Sequence, residues 1–327
     1  MATVSPTGEK EQTMVTIWKK RDDKIIRSAI LEQSCWVQVT NPTSFEIESL
    51  EQEYLIPRDV IQDVLDVDER SRVEREDNYR GVIIRVPIFS PDIRVPYYTV
   101  PLGIFILEGL IITISMEEPS FLKDLSENRA RFTDLGNPRN FVLQVFLGMS
   151  TYYLRYLKQI NKQTTVIEQD LQRSVRNNEL IRLLDVEKSL VYFTTSLKAN
   201  EIVMDKLQRT YFTGMDEDLV DRLEDVLTEH RQAIDMANIY SNILSGMMDA
   251  FASVISNNLN VVMKRLTMIS VVIMIPTFLA SLYGMNVPLP FQGSNLAFYG
   301  ILAVSAVAAG VGAVILGLRR ISRRRRR

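Results

Sequence analysis

The chain has 327 residues, of which 46% are hydrophobic, and it carries 38 Lys and Arg against 40 Asp and Glu, for a formal net charge of −2. Its one cysteine, Cys35, excludes an internal disulfide, and its one histidine, His230, gives a zinc site of ordinary ligands no support. The sequence has no glycine-rich phosphate loop and no nucleophile with a histidine partner, so we expect a protein that is not an enzyme.

Proline usage marks an internal boundary. Nine of the twelve prolines lie at or before Pro138, and none lies between residues 139 and 275. Before this boundary, the runs CWVQV, RGVIIRVPIF and LGIFILEGLIITIS have the β-branched and aromatic enrichment of strands. The runs SFEIESLEQEYL and PRDVIQDVLDV have helical spacing. We therefore predict a cytosolic α/β domain over residues 1–138.

A long helical region follows. Residues 139–265 have an amphipathic helical pattern, and in its last part Gly246 is the only helix breaker, so we predict a cytosolic helical stalk there. A last helix that runs unbroken from about Asp218 to Tyr283 is about 100 Å long, at 1.5 Å per residue. It then enters the bilayer as a membrane span.

Two apolar segments come next. Between residues 266 and 318 there is no Asp, Glu, Lys, Arg or His. About 20 apolar residues cross a hydrocarbon core, and residues 266–283 and 296–318 both meet this requirement. A buried hairpin of a soluble protein is the alternative, but the length and purity of the segments favour two transmembrane helices over residues 266–318, joined by a loop.

The flanking charges predict the orientation. Lys264 and Arg265 precede the first span, and the basic tail RRISRRRRR, residues 319–327, follows the second. The positive-inside rule therefore places both termini in the cytoplasm and the chain in the cell membrane as a multi-pass protein. An arginine run is also typical of nucleic-acid-binding arms, but its position beside a span favours a topological anchor with no nucleic-acid partner.

One face of the first span is polar. Residues three and four positions apart fall on one face of a helix. We call the following set the polar stripe: Asn260, Met263, Thr267, Ser270, Met274, Thr277 and Ser281. Its hydroxyls either bond back to their own helix, or hold helix to helix, or line a water-filled pore. We favour the pore, and because one helix cannot enclose a lumen, an oligomer follows.

The residues at the end of this span resemble a known family. The tripeptide Gly284-Met285-Asn286, followed by a second span and a basic tail, is similar to the signature of the CorA family of divalent-cation channels. The resemblance extends over nearly the whole chain. It implies a funnel-shaped homopentamer with an α/β/α cytosolic domain, a long helical stalk and two transmembrane helices per subunit. The cargo it implies is Mg²⁺, with Co²⁺ or Ni²⁺ as related substrates.

The resemblance also implies roles for single residues. Gly284, Met285 and Asn286 are the expected selectivity filter, where Asn side chains and Gly carbonyls hold the hydrated ion through its waters. The polar stripe, with Leu266 beside Met263, is the expected pore lining, and rings of Met263, Leu266 and Met274 narrow it. Asp63 and Asp225 are expected to bind a regulatory Mg²⁺ between adjacent subunits.

Three features depart from the family pattern. The segment after the tripeptide, VPLPFQGSN, carries no acid where relatives often have one. The acidic pair of the sensing region reads Gln62-Asp63, and a second acidic position falls at Gly148, so we expect one sensor site to be kept and the other to be lost or weakened. A CorA-like zinc transporter and a non-transporting scaffold on a membrane anchor remain the alternative functions.

Overall fold

The computed structural model of the protein describes residues 15–21, 24–127, 135–173, 177–285, 298–308 and 310–311. The chain divides into two compact units, residues 1–247 and residues 248–327. The strands are β1 (Val15–Arg21), β2 (Lys24–Ser28), β3 (Cys35–Thr40), β4 (Arg72–Arg75), β5 (Arg80–Phe89), β6 (Tyr97–Leu107) and β7 (Leu110–Ser115). The helices are α1 (Ser44–Tyr54), α2 (Arg58–Val64), α3 (Ser120–Ser126), α4 (Pro138–Arg173), α5 (Asn177–Thr210), α6 (Glu217–Tyr283) and α7 (Phe298–Ala308).

The first unit is built on one mixed sheet. Its seven strands lie in the order β2-β1-β3-β7-β6-β5-β4, and every neighbouring pair is antiparallel except β3 and β7. The predicted run LGIFILEGLIITIS proves to be two strands, since Glu108 and Gly109 form a tight turn between β6 and β7. Gly109 has φ +72°, a left-handed conformation that glycine adopts without a steric penalty.

Helices cover both faces of this sheet. Successive side chains of a strand point to opposite faces, so Cys35, Val37 and Val39 of β3 pack in the cluster that contains α1 and α2. Trp36 points the other way and lies 5.3 Å from the ring of Phe141 on α4, measured between centroids. Burying each large apolar side chain stabilises the unit by about 1.5–3 kcal/mol. The predicted α/β/α architecture is confirmed.

Local signals determine where α1 begins. Thr43 is the N-cap, and its hydroxyl accepts a hydrogen bond from the Glu46 backbone N–H at 3.3 Å. The Glu46 carboxylate in turn accepts from the Thr43 N–H at 2.7 Å. This reciprocal capping box satisfies two backbone donors that a helix start otherwise leaves unpaired. The helix SFEIESLEQEYL was predicted from its spacing, and the structure has it at Ser44–Tyr54.

The last long helix carries the apolar segment. α6 has 67 residues, and its first part belongs to the unit of residues 1–247. Among the described residues, α6 is the one helix long and apolar enough to cross a membrane, with a mean hydropathy of 2.0 in its most apolar window. In the second predicted span, the described helix α7 is shorter, and the rest of residues 296–318 lies largely outside the described residues.

The packing of α2 on the sheet gives a test of the first unit. A Cβ on Gly103 of β6 would lie 2.8 Å from Phe105 Cε2 and 2.8 Å from Val64 Cγ2 on α2. Because overpacking a dense core is costly, we expect Gly103→Ala to lower the free energy of unfolding by about 1–3 kcal/mol. Gly81→Ala on β5 is the matched control, since its Cβ would meet atoms only at 3.4 Å. Equal thermal unfolding midpoints for the two variants would contradict this packing.

Candidate functional site

The polar stripe forms an exposed face of α6. Within one chain, each of its seven residues is exposed, and so is Leu266. The half-buried residues of the same segment recur at helical spacing on a different face: Val261, Met268, Val272, Pro276, Leu279, Leu282 and Tyr283. At 3.6 residues per turn, the centres of the two faces are about half a turn apart. Among the described residues, the stripe is therefore on the more exposed side of this part of α6.

A second face of α6, away from the stripe, borders an apolar groove beside α7. An apolar groove of about 590 Å³ lies between the two helices. Its walls are Val271, Val272 and Ile275 of α6, with Ala303, Val304, Val307, Ala308 and Val311 of the second helical segment. The small and β-branched side chains of this groove allow close helix–helix packing in a bilayer. α6 thus has one apolar face that borders α7 and another face that carries the polar stripe.

Three stripe hydroxyls donate to their own helix. Thr267 Oγ1 donates to the Met263 carbonyl at 2.9 Å, Ser270 Oγ to Leu266 at 3.0 Å, and Thr277 Oγ1 to Ile273 at 2.9 Å. The predicted alternative of back-bonding is therefore realised at these positions. It does not exclude a pore lining, because a hydroxyl that has donated its hydrogen still has two acceptor lone pairs.

The tripeptide begins where α6 ends. The Gly284 N–H donates to the Ala280 carbonyl at 3.0 Å, and the Met285 N–H to Leu282 at 3.4 Å. A Cβ on Gly284 would meet the Ala280 oxygen at 3.4 Å, an ordinary contact, so local packing alone does not require glycine there. Asn286, the predicted filter residue, lies outside the described residues.

The predicted sensor residue Asp63 takes part in an ion cluster. On α2, its Oδ2 lies 2.8 Å from Nη2 of Arg72 on β4. The same guanidinium binds Glu74 through Nε at 2.6 Å and Glu69 through Nη1. We call these four residues the Arg72 cluster. Burial lowers the pKa of Arg72, but hydrogen bonds and charge attraction to Glu74, Glu69 and Asp63 outweigh this and raise it.

The surroundings of the Arg72 cluster are negative. Burial first, and then the charges of Glu74, Glu76 and Asp59, raise the pKa of the Tyr79 hydroxyl to about 12.

The sequence analysis identified Asp63 as a site residue but missed Arg72 as its partner. One signal was available: Arg72 and Glu74 alternate in the strand SRVER and so lie on one face.

The second predicted sensor residue lies elsewhere. Asp225 is an exposed residue of α6. Among the residues that the structure describes, no group of three or more His, Cys, Asp or Glu side chains is arranged to hold a metal ion. Gly148, the position of the expected lost sensor, packs on Phe121, and a Cβ there would lie 3.0 Å from Phe121 Cδ2.

His230 connects three helices of the first unit. Its Nε2 lies 2.9 Å from the Leu197 carbonyl on α5, so this nitrogen carries the hydrogen. Its Nδ1 then accepts from the Ser150 hydroxyl on α4 at 3.1 Å. Both His230 and Ser150 are almost completely buried. Burial lowers the pKa of His230, and the hydrogen bond to Leu197 raises it by less, so the ring is held neutral.

These features together define a class of protein in which an α/β unit is followed by a helix with one polar face that is long and apolar enough to cross a membrane. The chain belongs to the family described as CorA-like Mg²⁺ transporter protein, whose model matches residues 32–324. Members of this family are transporters, which agrees with the expectation that the chain is not an enzyme.

Several known proteins are similar to this chain. The cobalt/magnesium transport protein CorA of Methanocaldococcus jannaschii is 27% identical over 277 residues, which cover 83% of this chain and 86% of the relative. The magnesium transport protein CorA of Helicobacter pylori is 24% identical over 264 residues, covering 77% and 79%. The complete structure of the CorA magnesium transporter from M. jannaschii matches with a TM-score of 0.76 at 24% identity, over 96% of this chain and 98% of that one. The fold is thus shared along almost the entire length.

The buried histidine gives a prediction about pH. The folded pKa of His230 is below the unfolded value of about 6.5, so as pH falls the unfolded chain binds the proton first. The stabilising contribution of neutral His230 is therefore present above about pH 6.5 and is lost below it. We expect the unfolding midpoint of the full chain in detergent to fall between pH 7.5 and 5.5, and to fall less in His230→Gln. An equal fall in the two proteins would show that His230 does not titrate in this way.

Proposed function

We propose that the chain is one subunit of a homopentameric channel that imports Mg²⁺ across the cell membrane, with Co²⁺ and Ni²⁺ as related cargo. The observation that carries the proposal is the polar stripe, which is exposed on the face of α6 opposite its apolar packing face. The M. jannaschii relative is named a cobalt/magnesium transport protein, and the H. pylori relative a magnesium transport protein.

The stripe has the chemistry that a hydrated cation requires. Mg²⁺ dehydrates reluctantly, so it moves with most of its water shell, whose hydrogens point outward. Those hydrogens need acceptors. The hydroxyls of Thr267, Ser270 and Thr277 have donated their own hydrogens to the helix and keep acceptor lone pairs. Five copies of α6 with their stripes inward enclose a pore of this kind, and α7 lies outside.

The tripeptide forms the entry filter in this proposal. Five Asn286 side chains and five Gly284 carbonyls surround the hydrated ion, and Met285 lies between them in the chain. The ring is neutral, so it holds the ion weakly enough to release it. The basic flanks at Lys264, Arg265 and residues 319–327 keep both termini in the cytoplasm, which places the filter at the outer mouth.

The filter proposal has a direct test. We expect Asn286→Ala to abolish Mg²⁺ uptake into liposomes, because the ring loses the amides that bind the waters of the ion, while pentamer assembly is retained. Gln292→Ala, in the same loop, is the matched control and should transport at the wild-type rate. Uptake by Asn286→Ala at the wild-type rate would remove the filter from the proposal.

Two other functions remain to be separated from Mg²⁺ transport. A zinc transporter of the same fold would move Zn²⁺ in preference to Mg²⁺, and a membrane-anchored scaffold would move neither. The intact Met285 argues against zinc, since zinc relatives tend to vary there, and the polar stripe argues against an anchor, which has no use for it. Flux into liposomes that hold the purified protein, Mg²⁺ compared with Zn²⁺, distinguishes the three.

Regulation by internal Mg²⁺ extends the proposal. Asp63 of one subunit and Asp225 of the next are placed together at the subunit interface, where two carboxylates 4 Å apart repel by about 4 kcal/mol at an effective dielectric of 20. A bound Mg²⁺ turns this repulsion into attraction and favours the closed pentamer. A ligand shifts such an equilibrium only through its different affinities for the two states, and here the closed state alone assembles the site.

Removing both carboxylates tests this regulation. We expect the double variant Asp63→Ala, Asp225→Ala to keep conducting at internal Mg²⁺ concentrations that close the wild type, and to lose Mg²⁺ protection of the soluble unit against proteolysis. The double variant Asp77→Ala, Asp235→Ala removes two exposed acids from the same regions and should close normally. Closure of the first variant at the wild-type Mg²⁺ concentration would place the sensor elsewhere.

A further inference from the structure

Arg72 gives a different nitrogen to each of three carboxylates. Nη2 binds Asp63, Nε binds Glu74 and Nη1 binds Glu69. A fork of five N–H donors is what allows one guanidinium to serve several carboxylates at once. Among the described residues, Asp63 therefore has a cationic partner within its own chain before any metal ion arrives.

The three carboxylates are not equally accessible. The side chains of Glu69 and Glu74 are each 20% exposed, that of Arg72 is 29% exposed, and that of Asp63 is 48% exposed. Asp63 is the outer member of the Arg72 cluster, and Glu69 and Glu74 hold the guanidinium from the inner side. A cation from solution therefore reaches Asp63 first, and there it meets Nη2 of Arg72.

The backbone around Arg72 is fixed, so its charge stays near Asp63. The Ser71 hydroxyl donates to Asn200 Oδ1 on α5 at 2.8 Å, and Lys206 donates to the Val73 carbonyl at 3.2 Å. On the other side, Arg85 donates to the Glu69 carbonyl at 2.7 Å. These bonds hold the segment on both sides of Arg72 against α5 and the sheet. The guanidinium cannot move far from the cluster without leaving Glu69 and Glu74 unpaired.

We propose that Arg72 is a tethered competitor for Asp63 and sets the divalent-cation concentration at which Asp63 binds metal. The inference rests on the proposed function, in which Asp63 is a ligand of the regulatory Mg²⁺. A metal ion that binds Asp63 replaces Nη2, and the displaced N–H turns to water while Nε and Nη1 keep their carboxylates. Mg²⁺ therefore has to reach a higher concentration than it would at a free aspartate.

The test measures binding and closure separately on the purified full chain. Mn²⁺ binding is followed in detergent by the electron paramagnetic resonance signal of free Mn²⁺, and Mg²⁺ inhibition of flux is measured in liposomes. We expect Arg72→Met to lower both half-saturating concentrations about threefold to fivefold, the size expected for a partly exposed ion pair. Arg72→Lys keeps the charge but loses the fork of donors, so its half-saturating concentrations should lie between those of the wild type and of Arg72→Met.

Glu74→Gln tests the same competition in the opposite direction and leaves Arg72 in place. With one inner carboxylate neutral, the guanidinium binds Asp63 more strongly, so both half-saturating concentrations should rise about twofold to threefold. This variant also keeps the proposal testable if Arg72→Met fails to fold, because an unchanged or lowered concentration in Glu74→Gln contradicts it.

Two controls separate competition from a general effect of charge. Arg75→Met removes the same charge from an exposed position of β4 and should leave both concentrations unchanged. In an Asp63→Asn background, Arg72→Met should have no further effect. Suppose that the wild type closes with Mg²⁺. If Arg72→Met then does not lower the half-saturating concentrations, or still lowers them in the Asp63→Asn background, the proposed role of Arg72 is wrong and the proposed regulation stands. If the wild type does not close with Mg²⁺ and the Asp63→Asn variant binds Mn²⁺ as the wild type does, both the role of Arg72 and the proposed regulation are wrong.

Discussion

A membrane-crossing helix that conducts a hydrated cation has to satisfy two solvents at once. Its backbone polar groups must be paired within the helix, because hydrocarbon offers them no partner. Its side chains must then separate, with apolar groups toward lipid and helix and polar groups toward water. In α6 the polar stripe lies on one face, and the half-buried residues around Val272 lie on the opposite face. In the proposed channel several subunits are needed, because one helix cannot enclose a lumen.

Sequence patterns predicted the elements that depend on local periodicity. The strand β3 and the helices α1 and α2 lie where the spacing of their residues predicted them. The order of the strands, and the parallel pair β3 and β7 among antiparallel neighbours, were not predicted. The parallel pair joins residues 75 positions apart, such as Cys35 and Leu110, and local sequence patterns carry no information about pairing at that distance.

In the candidate site, too, features of local periodicity were predictable from the sequence and contacts between distant residues were not. The stripe is a one-helix property and was visible in the sequence, whereas the partners of single side chains were not. Asp63 and Arg72 are joined across a loop between α2 and β4, and His230 is joined to Ser150, which is 80 positions away. A lone histidine is a poor metal candidate, and the structure explains its burial by two hydrogen bonds that satisfy both ring nitrogens.

The proposed ion pathway requires a low affinity for the cation, and the proposed sensor requires a high one. The chain accordingly has neutral oxygen groups in the first and carboxylates in the second. A carboxylate within the bilayer is costly to bury and would hold a divalent cation too tightly to pass it on. Neutral hydroxyl oxygens, as at Thr267 and Thr277, bind only the waters of the ion. The soluble unit can use carboxylates, because water and Arg72 offset their mutual repulsion. Asp225 and the stripe nevertheless belong to one helix, α6, so the proposed sensor residue and the proposed pore lining share one continuous backbone.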